Sequence, residues 1–495
     1  MLRRSFHRCL VYEKKTLALN AVLNGFRSVL NLLFPIITFP YVSRVLSVNE
    51  MGIYSFSMNY INYFTLIAGL GVATYAVREG AKYRDDRVKI GKFASQVFTI
   101  NIYATIFSYV LLFLSLFIFS NLHVYSLAIL IFSIQILFNT IGTEWIYTIY
   151  EDYAYITIRS ILFKVISLVL IFIFVRTPGD YIWYASITVF ATVGSNILNF
   201  LHARSFSDIH LVRNPLWRKH ITPILIIFAS SAAVTIYVSS DTTILGILRD
   251  ERAVGIYSIA IKIYSVSQSL LSALLIVAIP RLAMLFGKKK LREFHNVLER
   301  LINTLLIATL PATVGLIMMS KEMVLFVASS KYLAATNSLR IISFAIIFSI
   351  FSWIFSQCVL MPAKREKAIL KNTLITAIVN VILNLILIPI WSYNGTALST
   401  VIAEFMVMAM NGWSCRDIIK DIVTSKRVKK NALTSLAGCS GIIIVCLIGK
   451  FIFPTLIVRT VVSILLSIVV YGLLLIALKN DLILENIGKL KMRKK

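Results

Sequence analysis

The stretches "NEMGIYSFSMNYINYF" (residues 49–64) and "RAVGIYSIAIKIYSV" (residues 252–266) both contain GIYS, at Gly52–Ser55 and Gly255–Ser258. Each copy follows a short polar loop and opens a long apolar run. Aligned at their offset of 203 residues, they bring Thr38 opposite Asp241, Leu46 opposite Arg249 and Asn59 opposite Lys262. A four-residue string recurs easily by chance in an apolar chain. Its recurrence at the same point of two long apolar segments is the mark of an internal duplication.

Composition says what kind of segments these are. The 495 residues are 58% hydrophobic, with a mean hydropathy of +0.83, yet they carry a formal net charge of +28. A soluble chain this apolar would expose large apolar patches, and a basic nucleic-acid binder is far more polar, so nucleic acid is not an expected partner. A polytopic membrane protein reconciles both numbers, because Lys and Arg collect in the loops on one side. Fourteen apolar segments of spanning length can be marked, from 17–41 to 455–478. With the basic N-terminus (Arg3, Arg4, Arg8, Lys14, Lys15) placed inside, basic residues of the inner connections outnumber those of the outer ones by about five to one. The loop at 148–154 breaks the pattern by being acidic. The first segment is too long for a signal-peptide core and reads as a retained span.

The GIYS offset covers six segments and so preserves orientation. The expected fold class is an all-α polytopic membrane protein of about fourteen transmembrane helices, two six-helix lobes in parallel repeat plus two C-terminal helices. Its parts are a cytoplasmic N-terminus (1–16), an N-lobe (17–203), an inter-lobe connector (204–220), a C-lobe (221–414), a cytoplasmic loop (415–431), the last two spans (432–478) and a basic cytoplasmic tail (479–495). Both "ARSFSDIHLVRNPLWRKH" (203–220) and "FGKKKLREFHNVLERL" (286–301) read as basic interfacial segments suited to anionic lipid.

Nothing in the chain has the spacing of an enzyme's machinery. Its five cysteines are unpaired in spacing, its six histidines include no H-E-x-x-H, and no GxxxxGK[ST] is present. Neither a metal nor another cofactor is expected.

The informative residues are polar ones inside spans. Asn20, Asn24, Arg27, Asn31 and Thr38 fall on one stripe of the first helix. A guanidinium at mid-membrane costs about 2.5–3.5 kcal/mol, so this stripe faces either protein, with a structural ion pair, or an aqueous cavity for an anionic substrate. Lys262 is the C-lobe counterpart, and Asp241 is placed to pair with it. Glu404, in the middle of the twelfth helix, is protonated, paired, or a proton or sodium site. The eleventh helix carries Asn372, Thr376, Asn380 and Asn384 at i+4 spacing. The expected substrate-binding set is Arg27, Lys262, Asn24, Asn31, Asn59 and Asn380, with Asp241 and Glu404 as ion-coupling candidates. Two lobes that each aim a basic group at a shared interface suit a doubly charged head such as a pyrophosphate.

Four stretches carry a family resemblance: "FPYVSRVLSVNEMGIYSFSMNYINYFTLIAGLGVATYAVREGAKYRDD" (39–86), "TEWIYTIYEDYAYITIRSILFKVISLV" (143–169), "SSDTTILGILRDERAVGIYSIAIKI" (239–263) and "NVILNLILIPIWSYNGTALSTVIAEF" (380–405). Together they resemble the Wzx-type polysaccharide repeat-unit flippases of the multidrug/oligosaccharidyl-lipid/polysaccharide exporter superfamily. The chain departs from that family's "GxEDF/Y" loop, having Ile149 at the glycine before Glu151. The resemblance implies a two-lobed, V-shaped transporter in the bacterial cytoplasmic (inner) membrane. Its substrate would be an undecaprenyl-pyrophosphate-linked oligosaccharide, its energy source an ion gradient (H+ or Na+), the membrane potential or glycan removal outside, and its neighbours a polysaccharide polymerase and export proteins. On the same fold the alternatives are a cation-coupled multidrug exporter and a peptidoglycan-precursor flippase. The former calls for acids in the N-lobe cavity, where this chain offers Arg27 and amides. A membrane glycosyltransferase would need a sizeable outer loop, and the longest is 320–336.

Overall fold

The computed structural model describes residues 33–485, and among them there is helix and turn but no strand. Twelve helices are long and apolar enough to cross a membrane. One of these, Glu366–Ser414, breaks at Ser392 (φ 50°, ψ −132°) and is therefore two spans. Leu33–Val45 is a shorter apolar helix, and with it the described residues hold fourteen apolar helical segments, as many as expected. In chain order they are α1 Leu33–Val45, α2 Val48–Tyr83, α3 Arg87–Ile118, α4 Ser120–Tyr150, α5 Tyr153–Phe174, α6 Tyr181–Ala203, α7 Trp217–Leu248, α8 Glu251–Gly287, α9 Leu291–Met318, α10 Ala335–Leu360, α11 (366–391), α12 (393–414), α13 Lys426–Ile452 and α14 Leu456–Ala477. The outward faces are apolar: on α5, Ile158, Leu162, Val165, Val169 and Phe172 are all exposed at helical spacing. Lipid takes such a face at no cost, because the helix has satisfied its own backbone.

The repeat is visible in the caps. Ser47 closes a capping box with Glu50 at the start of α2, and Asp250, at the same offset of 203, accepts from the Ala253 amide at the start of α8. GIYS follows each cap, and the two copies meet. A Cβ built on Gly52 would fall 1.7 Å from the Glu251 carbonyl oxygen, and one on Gly255 would fall 2.0 Å from that of Val48. The first turns of α2 and α8 thus cross backbone to backbone, which only glycine permits.

Around this crossing the lobes share one core, from Phe39, Met51 and Phe56 to Tyr257, Tyr332, Ile346 and Ile388. Ser43 donates to the Val327 carbonyl (3.2 Å), Arg44 to those of Ala328 (3.0 Å) and Phe326 (2.6 Å), and Lys331 to that of Arg44 (3.1 Å). At the opposite end, which bears the basic loops, the core divides. One half gathers Val72, Phe93, Trp145 and Ile224, the other Leu275, Phe294, Ile354 and Ile419. The start of α7 crosses the divide there, its His220 ring held between Tyr75 (2.7 Å) and Gln96 (2.9 Å). The lobes are joined at the GIYS end and part toward the basic end.

Three expectations need amendment. Residues 286–301 are not a separate interfacial helix, because α8 runs on to Gly287 and α9 begins at Leu291, with Phe294 and Leu298 buried in the core. The connector does more than lie on lipid: its Val212 amide donates to Thr99 and its His210 amide to Ser95, both on α3. The acidic loop has a local partner, since Glu151 accepts from Arg84 at 3.2 Å. The C-terminal pair docks on α9, where Asn431 donates to Asn303 (2.9 Å) and Tyr471 to the Ile307 carbonyl (3.0 Å).

Candidate functional site

Directly beside the shared core lies a cavity of ≈ 280 Å³ with walls from both lobes. Phe34, Thr38 and Phe39 come from α1, Tyr54 and Asn59 from α2, Tyr184 and Thr188 from α6, Thr242 from α7, and Ser258 and Lys262 from α8. Asn59 and Lys262, equivalent in the repeat, stand in the same cavity because the glycine crossing brings α2 and α8 together two turns earlier. The Asn59 amide donates to the Ser55 carbonyl (2.9 Å). The Lys262 ammonium sits 5.6 Å from the centre of the Phe39 ring, and among the described residues it has neither a hydrogen bond nor an ion pair. A cation half-buried at this depth without a carboxylate is costly, and an anion entering the cavity would relieve that cost. Arg27, Asn24 and Asn31 lie outside the described residues.

Asp241 does not pair with Lys262. It is 6% exposed and accepts from Thr400 (2.6 Å), Asn384 (2.7 Å) and Tyr257 (3.4 Å). Ser399 donates to Asn384 (2.7 Å), and Ser240 to Asn380 (3.1 Å), which completes a polar knot of α7, α8, α11 and α12. Asn380 is buried in this knot, with its carbonyl oxygen also facing Asn384 (3.2 Å), so it lines neither the lobe interface nor the Lys262 cavity. The i+4 stripe of α11 made these residues visible, but a stripe does not say which neighbour it faces.

Glu404 belongs to a second cavity, of ≈ 440 Å³, whose lining among the described residues comes from the C-lobe. Its lining includes Tyr237 of α7, Gln268 and Ser269 of α8, Ser349, Ser352, Trp353, Ser356 and Gln357 of α10, Thr373 and Thr376 of α11, and Asn411 of α12. Asn372 donates to Asn411 (2.9 Å), which donates to Ser352 (3.1 Å). The α11 stripe is thus shared, Thr376 lining this cavity with Asn372 behind it on Asn411, and Asn380 and Asn384 going to the knot. Beside it α10 loosens into a π-helix over Ile354–Leu360, a departure from α geometry that recurs at functional sites. The sequence reading missed this cavity, although Ser349, Ser352 and Ser356 form a legible hydroxyl row at helical spacing.

At the basic end the carboxylates are ordinary surface partners. Arg365 clamps Asp417 with two hydrogen bonds (2.8 and 2.6 Å) and holds its carboxyl below the usual range.

A family model described as "Polysaccharide biosynthesis protein" matches residues 18–286, more than half of the chain, and one described as MatE matches residues 226–386. A protein of Escherichia coli (strain K12) named "Putative O-antigen transporter" is 26% identical over 268 residues. That alignment takes in 51% of this chain and 61% of the relative, less than two thirds of its length. Among solved structures, the chain is similar to "Lipid II flippase MurJ, inward closed conformation", with a TM-score of 0.72 and 18% identity, over 94% of this chain and 100% of that one. It is also similar to an inward-facing multidrug resistance MATE family transporter of the MOP superfamily, with a TM-score of 0.61 and 16% identity, over 80% and 96% of the two chains. At such identities the likeness is one of fold.

Proposed function

The chain belongs to the polysaccharide biosynthesis protein family, and we propose that it flips undecaprenyl-pyrophosphate-linked oligosaccharide repeat units across the bacterial cytoplasmic membrane for assembly of a surface polysaccharide. The observation that carries this reading is Lys262, a cation without a carboxylate partner among the described residues, in a cavity built by both lobes where they join. The name of the Escherichia coli relative supports the substrate class. In the proposed cycle the basic end faces the cytoplasm, together with both termini. The pyrophosphate enters between the parted lobes while its polyprenyl tail stays in lipid. Lys262, with Arg27, Asn24, Asn31 and Asn59, holds the phosphates, and charge-assisted hydrogen bonds fix the head without reading the sugars. The lobes then rock, part at the GIYS end and release the head to polymerase and export proteins outside. Asp241, a buried carboxylate among neutral donors, is the proposed seat of a coupling proton or sodium ion.

The test uses the purified protein in liposomes with a fluorescent undecaprenyl-pyrophosphate oligosaccharide in the inner leaflet. Exposure of the label to an external quencher is followed for wild type, Lys262→Gln, Arg27→Gln and Asp241→Asn. Wild type is expected to expose the label, both cavity variants to lose at least about tenfold in rate, and Asp241→Asn to lose the response to a proton or sodium gradient. No exposure by wild type, alongside gradient-driven efflux of a cationic dye, would assign the chain to drug export instead.

A further inference from the structure

The two cavities adjoin. On α7, Thr242 lines the first and Val238, one turn away, the second. On α8, Lys262 lines the first and Ser269 the second, seven residues and about 10 Å along the same helix face. Val238 is 66% exposed and Ser269 is exposed too, so the second cavity is open along the helices that α2 packs against. A group bound at Lys262 therefore has the cavity that holds Glu404 next along α7 and α8.

The chemistry of the second cavity differs from that of the first. Among the described residues its lining holds no Lys or Arg; it offers a carboxylate, amides that both donate and accept, a row of hydroxyls, and the ring of Trp353. A metal cation would need about six oxygens converging on one point, whereas these groups are spread over five helices around ≈ 440 Å³. Hydroxyl-rich rings need what is present: many spaced donors and acceptors with an aromatic platform, in a pocket of small-molecule size. We propose that this cavity receives the first sugars of the substrate, with Glu404 and Gln357 hydrogen-bonding ring hydroxyls and Trp353 covering a ring face, while Lys262 holds the adjoining phosphates. The assignment rests on the flippase reading and adds to it the place where sugar is sensed.

Two probes separate the roles: undecaprenyl pyrophosphate carrying a tri-N-acetylglucosamine head, and bare undecaprenyl pyrophosphate. Wild type is expected to move both. Glu404→Gln and Trp353→Ala should each slow the sugar-bearing probe about tenfold and leave the bare one within about twofold, whereas Lys262→Gln should slow both. Trp353 is exposed at the cavity wall, so its variant reports on the pocket even where Glu404→Gln folds poorly. Equal slowing of both probes by Glu404→Gln, with loss of the gradient response, would make Glu404 an ion site and overturn the proposal. An unchanged sugar-bearing rate in both variants would overturn it as well. A wild type that moves neither probe would instead overturn the flippase reading, and the sugar pocket with it.

Discussion

The two lobes place the same tyrosine in different company. Tyr54 of the first GIYS reaches Thr188 of α6 (3.3 Å) and stacks on Tyr184 at 4.2 Å. Tyr257 of the second reaches Thr400 of α12, also at 3.3 Å, but shares it with the carboxylate of Asp241. The N-lobe residue equivalent to Asp241 is Thr38, which spends its hydroxyl on the Phe34 carbonyl of its own helix (2.9 Å). Asn59 and Lys262 repeat the contrast, neutral in the N-lobe and charged in the C-lobe. The duplication supplies a common frame in which a helix start delivers a tyrosine to a threonine of the lobe's last helix. Divergence on that frame put the charges of these two repeat pairs on one side. Arg27, the N-lobe cation of the expected substrate-binding set, precedes the described residues.

The strongest way to break this comparison is to spoil the frame itself. Gly52→Ala or Gly255→Ala places a methyl group on a carbonyl oxygen, an overpacking worth about 1–3 kcal/mol against the joined state. Disulfide formation between Asn49→Cys and Glu251→Cys, whose native side chains meet at 3.1 Å, is expected to fall about tenfold in either background. An undiminished yield would mean that the lobes do not meet on these glycines.

Charge exchange sharpens the comparison further. Lys262→Asn makes the C-lobe cavity wall resemble the N-lobe one and is expected to lower lipid-linked oligosaccharide flipping about tenfold. Adding Asn59→Lys returns an ammonium to the same cavity from the other lobe and should recover part of the rate. If the double variant stays as slow as the single one, the cavity reads position and not merely charge.

The smallest effect lies at the basic end, where an ion pair ties two loops in each lobe, Arg84–Glu151 and Arg365–Asp417. The side chains of the second pair are 39% and 56% exposed, so solvent screening leaves it about 0.2–1 kcal/mol. Arg365 lowers the Asp417 carboxyl, so its contribution is complete above the unfolded carboxylate value of about 3.9 and is lost as pH falls through the lower folded one. Asp417→Asn should lower the thermal midpoint slightly at pH 7 and not at all near pH 2, as scanning calorimetry in detergent would check.

Much of the fold was legible because lipid is a simple solvent: apolar runs of spanning length and the side on which Lys and Arg gather fix fourteen helices and their alternation. GIYS marked the duplication. That the two copies touch was not legible, since periodicity within a helix carries no record of its crossing partner. The same limit governs the site. Lys262 and Asn59 were singled out and do share a cavity, but Asp241 was matched with the nearest opposite charge and instead sits among Thr400, Asn384 and Tyr257. Asn380, expected at the substrate, packs inside the lobe. The serine row of α10 was open to view, yet hydroxyls bond their own helix so often that a row of them points to nothing until neighbouring helices leave a space beside it.

At the crossing of α2 and α8, each glycine presents a Cα hydrogen, not a side chain, to the carbonyl opposite. Helices that interlock by ridges in grooves resist sliding, because rows of side chains must climb over one another. Two bare backbones have no teeth to disengage. In the proposed cycle, where the lobes part at this end, the crossing itself offers nothing to unlatch, and the latch is at the rim, in the hydrogen bonds of Arg44 to the carbonyls of Phe326 and Ala328.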